Sequence, residues 1–150
     1  MYKKDAGVPT LSWQQAVEEA LCFGWIDSTR RPLDDEKFIQ YYCKRKPKSF
    51  WSKINKDKVK QLIEQGLMTE AGLKSIQIAK KNGSWTSLND VEAMKIPAEL
   101  EARFKLVPGS KARFLSLARS VRKVMLFRVM NAKRPETRTK RIDEIMATIA

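Results

Sequence analysis

The chain has 150 residues, 43% hydrophobic and 31% charged, a balance that allows a core and excludes a disordered polar tract. It carries 30 Lys and Arg against 17 Asp and Glu, a formal charge of +13, which points to an anionic partner and names no reaction. The absence of histidine, with only Cys22 and Cys43 as thiols, removes Ser-His-Asp and Cys-His nucleophile activation and a structural zinc site within one chain.

Thr10 or Ser12 is placed to cap a first helix with Ala16, Val17, Ala20 and Leu21 on its apolar face, stopping near Gly24. Residues 25–31 read as extended, residues 32–36 as a turn and residues 38–43 as a second β-forming run, so a β-hairpin is expected across residues 25–44. Beyond Pro47 the chain reads as helical. Residues 52–65 turn Val59, Leu62 and Ile63 inward, and Gly66 ends that helix in a left-handed conformation with Leu67 as its hydrophobic contact. Thr69 caps the next helix, which carries Leu73, Ile76 and Ala79 as far as Asn82-Gly83. Residues 84–96 read as a connector with Trp85 and Leu88 tucked onto the core.

Pro97 opens a short helix to about Leu106, and Pro108-Gly109 breaks it. Ser110 starts another with Phe114, Leu115 and Ala118 inside. Ser120 restarts or continues it into Val121, Val124, Met125 and Val129. Pro135 starts the last helix, where Ile142, Ile145, Met146 and Ile149 form an i, i+3, i+4, i+7 stripe. The expected fold class is α+β, one mostly helical domain over residues 1–150 with a short hairpin near residues 25–44. The densest apolar stretch, residues 124–130, is interrupted by Arg128 and falls far short of the roughly 20 residues that cross a bilayer. The first ten residues contain no apolar h-region. A cytoplasmic location is the expectation.

The charge is unevenly placed. Residues 44–60 hold eight basic residues and one acid, and residues 103–141 hold thirteen and one. In the first segment, residues 44–52 interleave cations with Phe50 and Trp51. That pattern suits single-stranded nucleic acid, with cations for phosphates and rings for bases; the competing reading makes Phe50 and Trp51 core anchors. In the second, Lys133, Arg134, Arg138 and Arg141 are anion-binding candidates, since helix-start amides and an arginine clamp can hold an anion. The competing reading has Glu136 and Thr137 capping the helix beside solvated arginines. Cys22, near a helix C-terminus, is a poor thiolate; Cys43 has Lys44 and Arg45 beside it, which favour a thiolate if it is exposed. Asp34-Asp35-Glu36 lacks calcium-loop spacing. No Gly-rich phosphate loop is present, and neither a metal nor a cofactor is expected.

Four motifs in order carry a family resemblance: residues 19–28 (EALCFGWIDS), residues 47–55 with Ser49-Phe50-Trp51-Ser52-Lys53 and Asn55, residues 66–72 with Gly66-Leu67-Met68-Thr69 and Gly72, and residues 132–142 with Ala132-Lys133-Arg134-Pro135-Glu136-Thr137-Arg138. Together they resemble the bacterial YdeI/OmpD-associated, bacteriocin-protection family, over roughly residues 1–142. The resemblance implies a small, mostly helical protein with a short β element and brings no defined reaction. Members of that family usually carry a further N-terminal segment before the region where this chain starts.

The motifs also indicate where a site is expected. The hairpin base would bring Trp25, Asp27, Arg45, Trp51, Ser52 and Asn55 into one polar–aromatic pocket. There Asp27 acts as a general base, or else accepts a hydrogen bond or pairs with an arginine across the hairpin. The functional expectation is a non-catalytic binding protein whose basic face engages an anionic partner: nucleic acid, an acidic protein or an anionic membrane surface. The alternative is a small-molecule binder or enzyme using the pocket around Asp27. A third reading is an interaction module whose partner is the further N-terminal segment.

Overall fold

Ser12 opens the first helix in the computed structural model, which describes residues 1–3 and 7–150. Its hydroxyl accepts from the Gln15 N–H (3.2 Å), and Gln15 Oε1 accepts from the Ser12 N–H (2.9 Å), closing a capping box. Helix α1 (Trp13–Cys22) buries Ala16, Val17, Leu21 and Cys22. Its last carbonyl, that of Cys22, accepts from both the N–H (3.1 Å) and the hydroxyl (2.6 Å) of Thr69. A Cβ at Gly72 would lie 2.2 Å from that same oxygen, so only glycine allows the two chain segments to approach so closely.

Strands β1 (Trp25–Pro32) and β2 (Phe38–Lys44) form an antiparallel hairpin in which Trp25 faces Lys44 and Asp27 faces Tyr42. The register shifts between Asp27 and Arg30, a β-bulge whose carbonyls at Ser28 and Thr29 accept from the Gln40 amide (3.2 and 3.5 Å). Asp34 makes the turn: its Oδ1 accepts from the N–H groups of Glu36 (2.9 Å) and Lys37 (2.6 Å). The Glu36 N–H is the main reason the Asp34 carboxyl titrates below its ordinary range. Of the three adjacent acids, it is Asp34 that builds the turn. Tyr2 adds a single antiparallel bridge to Lys37.

Helices α2 (Lys53–Glu64) and α3 (Glu70–Lys81) are capped by Ser52 and Thr69, and Gly66 between them has φ +70°. They bury Val59 and Leu62, and Ile76 and Ala79, against Val17, Leu21, Cys22 and Trp51. Trp85 closes this core, tilted against Trp51 with ring centroids 4.9 Å apart. Ile63, Leu67 and Leu73, expected inside, are exposed. Each helix buries a narrow stripe only, and the Gly66 turn is closed by the Leu67 N–H to the Leu62 carbonyl (3.0 Å) without a buried Leu67.

The remaining helices are α4 (Asn89–Glu92), α5 (Ala98–Leu106), α6 (Ser110–Ser116), α7 (Arg119–Met130) and α8 (Pro135–Thr148). Their core holds Leu100, Phe104, Phe114, Leu126, Val129 and the α8 isoleucines 142, 145 and 149. The α8 stripe is as read from the sequence. The face of α7 is not: Val121 and Val124 are exposed, while Leu126 is fully buried. Residues 124–130 are apolar at nearly every position, so periodicity there carries little phase information. Leu115 and Ala118 also face outward, since α6 ends at Ser116 and Leu117 turns extended. The stretch read as a connector contains the single-turn α4, anchored by buried Val91.

Residue contacts gather into two units, Met1–Ser87 and Leu88–Ala150, each with its own apolar cluster. The compositional change at Pro47 is no seam, because the hairpin end, α2 and α3 share their core with α1. The fold is helix-dominated α+β: among the described residues it has eight helices and one two-stranded sheet. Among those residues no helix is long and apolar enough to cross a membrane, and no group of three or more His, Cys, Asp or Glu could hold a metal ion.

Candidate functional site

In the first unit, the turn from α1 into β1 creates a concave surface. Gly24 has φ +72°, and a Cβ there would press on the Ala71 carbonyl and the Ser75 Cβ, both at 3.1 Å. Glycine therefore serves the backbone conformation and the close approach to α3 together. The Gly24 carbonyl accepts from the Arg45 N–H (3.0 Å), continuing the hairpin by one rung. Two residues on, the Pro47 carbonyl accepts from Asn82 Nδ2 (2.7 Å) and Ser84 Oγ (3.1 Å), which ties the exit from β2 to the end of α3.

Between these fixed points lies a cleft of about 500 Å³, within the ~300–1,000 Å³ typical of small-molecule sites. One wall is Ala71, Lys74, Ser75 and Ile78, an i, i+3, i+4, i+7 face of α3. The other comes from Lys44 to Pro47, with Phe23 and Gly24 at the turn. Four of the lining residues are cations, Lys44, Arg45, Lys46 and Lys74, and none of the described lining residues is a carboxylate.

Arg45 is the unusual member. It is only 7% exposed, and its guanidinium carbon sits 3.8 Å from the centroid of the Trp51 ring. Nη1 donates to the Phe50 carbonyl (2.9 Å), whereas Nε and Nη2 are buried without a hydrogen-bond partner. A buried donor left unpaired costs about 1–3 kcal/mol, more if charged. Burial pushes the Arg45 pKa down to about 10, against the opposing pull of Asp27 and Cys43. The group is still a cation at neutral pH. Lys44, Lys46 and Lys74 are exposed around it.

The six residues expected to share one pocket are divided. Trp51 is 1% exposed and belongs to the core. Ser52 caps α2, and Asn55 supplies the N–H that Ser52 accepts (3.2 Å). Trp25 lines a separate apolar hollow of about 390 Å³ with Phe23 and Tyr42. Asp27 is half-buried opposite Tyr42. Burial, followed by the Asp27 charge, pushes the Tyr42 phenol up. Arg45 alone of the six lines the cationic cleft. Lys74 and Ser75 are absent from the sequence expectation because they lie on a face of α3 away from its buried stripe; Phe23, the C-cap of α1, stands in the motif at residues 19–28 but is not among the six. Burial, followed by the Glu19 charge, pushes the buried Cys22 thiol up, while Cys43 is exposed.

The second basic cluster is largely engaged within its own unit. Arg138 pairs with Glu99 (Nε to Oε1, 2.8 Å) and reaches the Val129 carbonyl (3.5 Å). The Glu99 carboxyl is held low by its own N–H first and by Arg138 second. Arg141 donates to the Arg128 carbonyl, Arg119 to that of Glu92 and Arg113 to that of Ile149. These carbonyls end α7, α4 and α8, so the arginines satisfy groups that a helix C-terminus leaves open. Arg128 pairs with Glu144, Lys123 with Glu92, and Arg103 with Asp143. Lys133 and Arg134 are exposed at the start of α8, where Arg134 is the N-cap without a side-chain capping bond. In the first basic segment, Lys58 pairs with Glu18 and Lys53 with Asp57 (2.5 Å).

Residues 1–75 match a family described as a domain of unknown function (DUF8412). Residues 93–150 match the family described as bacteriocin-protection, YdeI or OmpD-associated. No curated protein and no solved structure matches the chain. The resemblance read across residues 1–142 is therefore carried by the C-terminal part, and three of its four motifs fall where the other family matches. Residues 93–150 are thus similar to the YdeI/OmpD-associated family over less than half of the chain, whereas the chain belongs to the DUF8412 family through its first half, which holds most of the cationic cleft.

Proposed function

We propose that the protein is a non-catalytic binding protein for an anionic partner, and that the cleft of the first unit receives the partner's charged group. One observation carries this reading: four cations line a concave space with no described carboxylate among them, and one of these cations is a buried arginine with two unpaired nitrogens. Elsewhere many of the arginines and lysines that crowd the sequence meet carboxylates or helix-end carbonyls. An oxyanion in the cleft meets the exposed Lys44, Lys46 and Lys74 directly, while Arg45, whose Nε and Nη2 are closed off from solvent, adds its charge from within the wall.

A titration with inorganic pyrophosphate, followed by amide NMR, tests the reading. The expected result is saturable shifts at Gly24, Lys46 and Ser75 that weaken in Lys74→Glu and weaken again as salt rises. Small shifts spread evenly over all lysines, or none, would defeat it. The exposed Lys133 and Arg134 serve as the internal control, and stronger shifts there would move the site to the second unit.

A further inference from the structure

We infer that the occupant of the cleft is a single-stranded nucleic acid, with phosphates on Lys44, Lys46 and Lys74 beside the buried charge of Arg45 and a base on the exposed ring of Phe23; this rests on the anion-binding reading above. Phe23 lines both the cationic cleft and the adjoining apolar hollow. The charged and apolar surfaces therefore meet at one side chain. Phe23 is 48% exposed and Trp25, two residues on, is 44% exposed. Both flank Gly24, whose N–H donates to the Leu21 carbonyl (3.1 Å) and whose carbonyl accepts from Arg45. The rings thus stand on a fixed turn, as a stacking platform requires.

The chemistry selects among anionic partners. A carboxylate-bearing peptide would satisfy the lysines and leave the aromatic surface with nothing planar to stack on. A membrane presents its phosphates in a plane, and Arg45 lies within a concave wall that such a plane does not enter. In a duplex the base faces are occupied by their neighbours, so Phe23 would find none open. A single strand offers a phosphate chain and free base faces side by side. The hollow of about 390 Å³ beyond Phe23, with its Trp25 and Tyr42 walls, gives a following base a place to go.

The experiment is fluorescence anisotropy of the full chain with a labelled short single strand, its duplex, and polyphosphate or poly-glutamate as competitors. The single strand is expected to bind more tightly than the duplex. Phe23→Ala should weaken it by roughly tenfold, the order lost with one stacked base. Phe23→Leu, which keeps an apolar side chain on the same backbone, should lose nearly as much because the ring is gone. Lys74→Glu should lower the slope of log affinity against log salt by about one or more. If polyphosphate competes as well as the strand and Phe23→Ala changes nothing, anion binding stands and the nucleic-acid inference falls. Equal binding of duplex, or equal competition by poly-glutamate, overturns it as well. If no anion binds at all, the underlying reading falls with it.

Discussion

Replacing Arg45 by methionine separates a binding arginine from a structural one. Met keeps an unbranched stem against Trp51 and removes the charge. Burial lowers the Arg45 pKa to about 10, a drop that amounts to ~3 kcal/mol against the charged form. Removing the charge recovers that amount. It also loses the hydrogen bond to the Phe50 carbonyl, at about 1.5–3 kcal/mol for a charged donor, and the stacking on Trp51, at up to ~2 kcal/mol when desolvated. A sulfur–aromatic contact returns about 0.3–1.5 kcal/mol. These terms nearly cancel, so Arg45→Met should shift the urea-unfolding free energy by no more than ~2 kcal/mol. Its affinity for pyrophosphate should nevertheless fall several-fold, because one of the four charges lining the cleft is gone.

The pH dependence follows from the same shift. The folded pKa lies below the unfolded one, so below about 10 both states hold the proton and the stability gap between wild type and variant is flat. Above about 10 the folded state releases its proton first, and the wild type gains stability on the variant as pH rises. A loss exceeding ~4 kcal/mol at neutral pH, in the range for breaking a buried ionic contact, would show that Arg45 is retained for the fold. Unchanged pyrophosphate affinity would show that the cleft is not the site.

Gly72→Ala should destabilise the first unit by about 2–4 kcal/mol: over-packing costs ~1–3 kcal/mol, the two Thr69 hydrogen bonds to Cys22 contribute ~1 each, and helix propensity returns ~1. A gain of ~1 kcal/mol in denaturant unfolding would contradict the close approach. Glu18 is held below its ordinary 4.5, chiefly by its hydrogen bond from Lys58. The stability it adds is therefore present above pH 4.5 and lost as pH falls through its folded value. Acid-unfolding curves of wild type and Glu18→Gln should converge at low pH, and a gap that persists there would count against the pair. A thiol-specific reagent should label Cys43 rapidly and Cys22 only on unfolding. Two rapid equivalents, or a rapid one surviving Cys43→Ser, would refute that assignment.

The elements with strong local signals were legible in the sequence. The α8 stripe needed only spacing, and the Gly66-Leu67 stop with the Thr69 cap marked the α2–α3 junction to within a residue. The hairpin followed from two β-forming runs around a turn at Asp34. Where apolar residues ran together, as in residues 124–130, the face of the helix could not be read, and Leu126 took the place expected of Val121 and Val124. Family resemblance identified the C-terminal part, whereas the motifs around Gly24 and Gly72 belong to a region matched by another family. Their physical meaning lies in a contact between α1 and α3 nearly fifty residues apart, which no local pattern reveals.

Charge clusters in the sequence misplace the charge in space for a similar reason. The run from Lys44 to Lys60 is +7 along the chain, yet Lys53 and Lys58 turn to carboxylates, and Arg45 is buried on Trp51. Lys74, isolated in the sequence, stands across the cleft from Lys44 and Lys46 because α3 follows α1 at glycine distance. The separation of α3 from the hairpin base is set by Gly24 and Gly72. Widening either approach moves Lys74 and Ser75 relative to Arg45 without changing a single charge. Affinity for an anion should therefore respond to Gly24→Ala through geometry, with the slope against salt preserved. Lys74→Glu, by contrast, changes that slope, because it alters the number of cations that an anion meets.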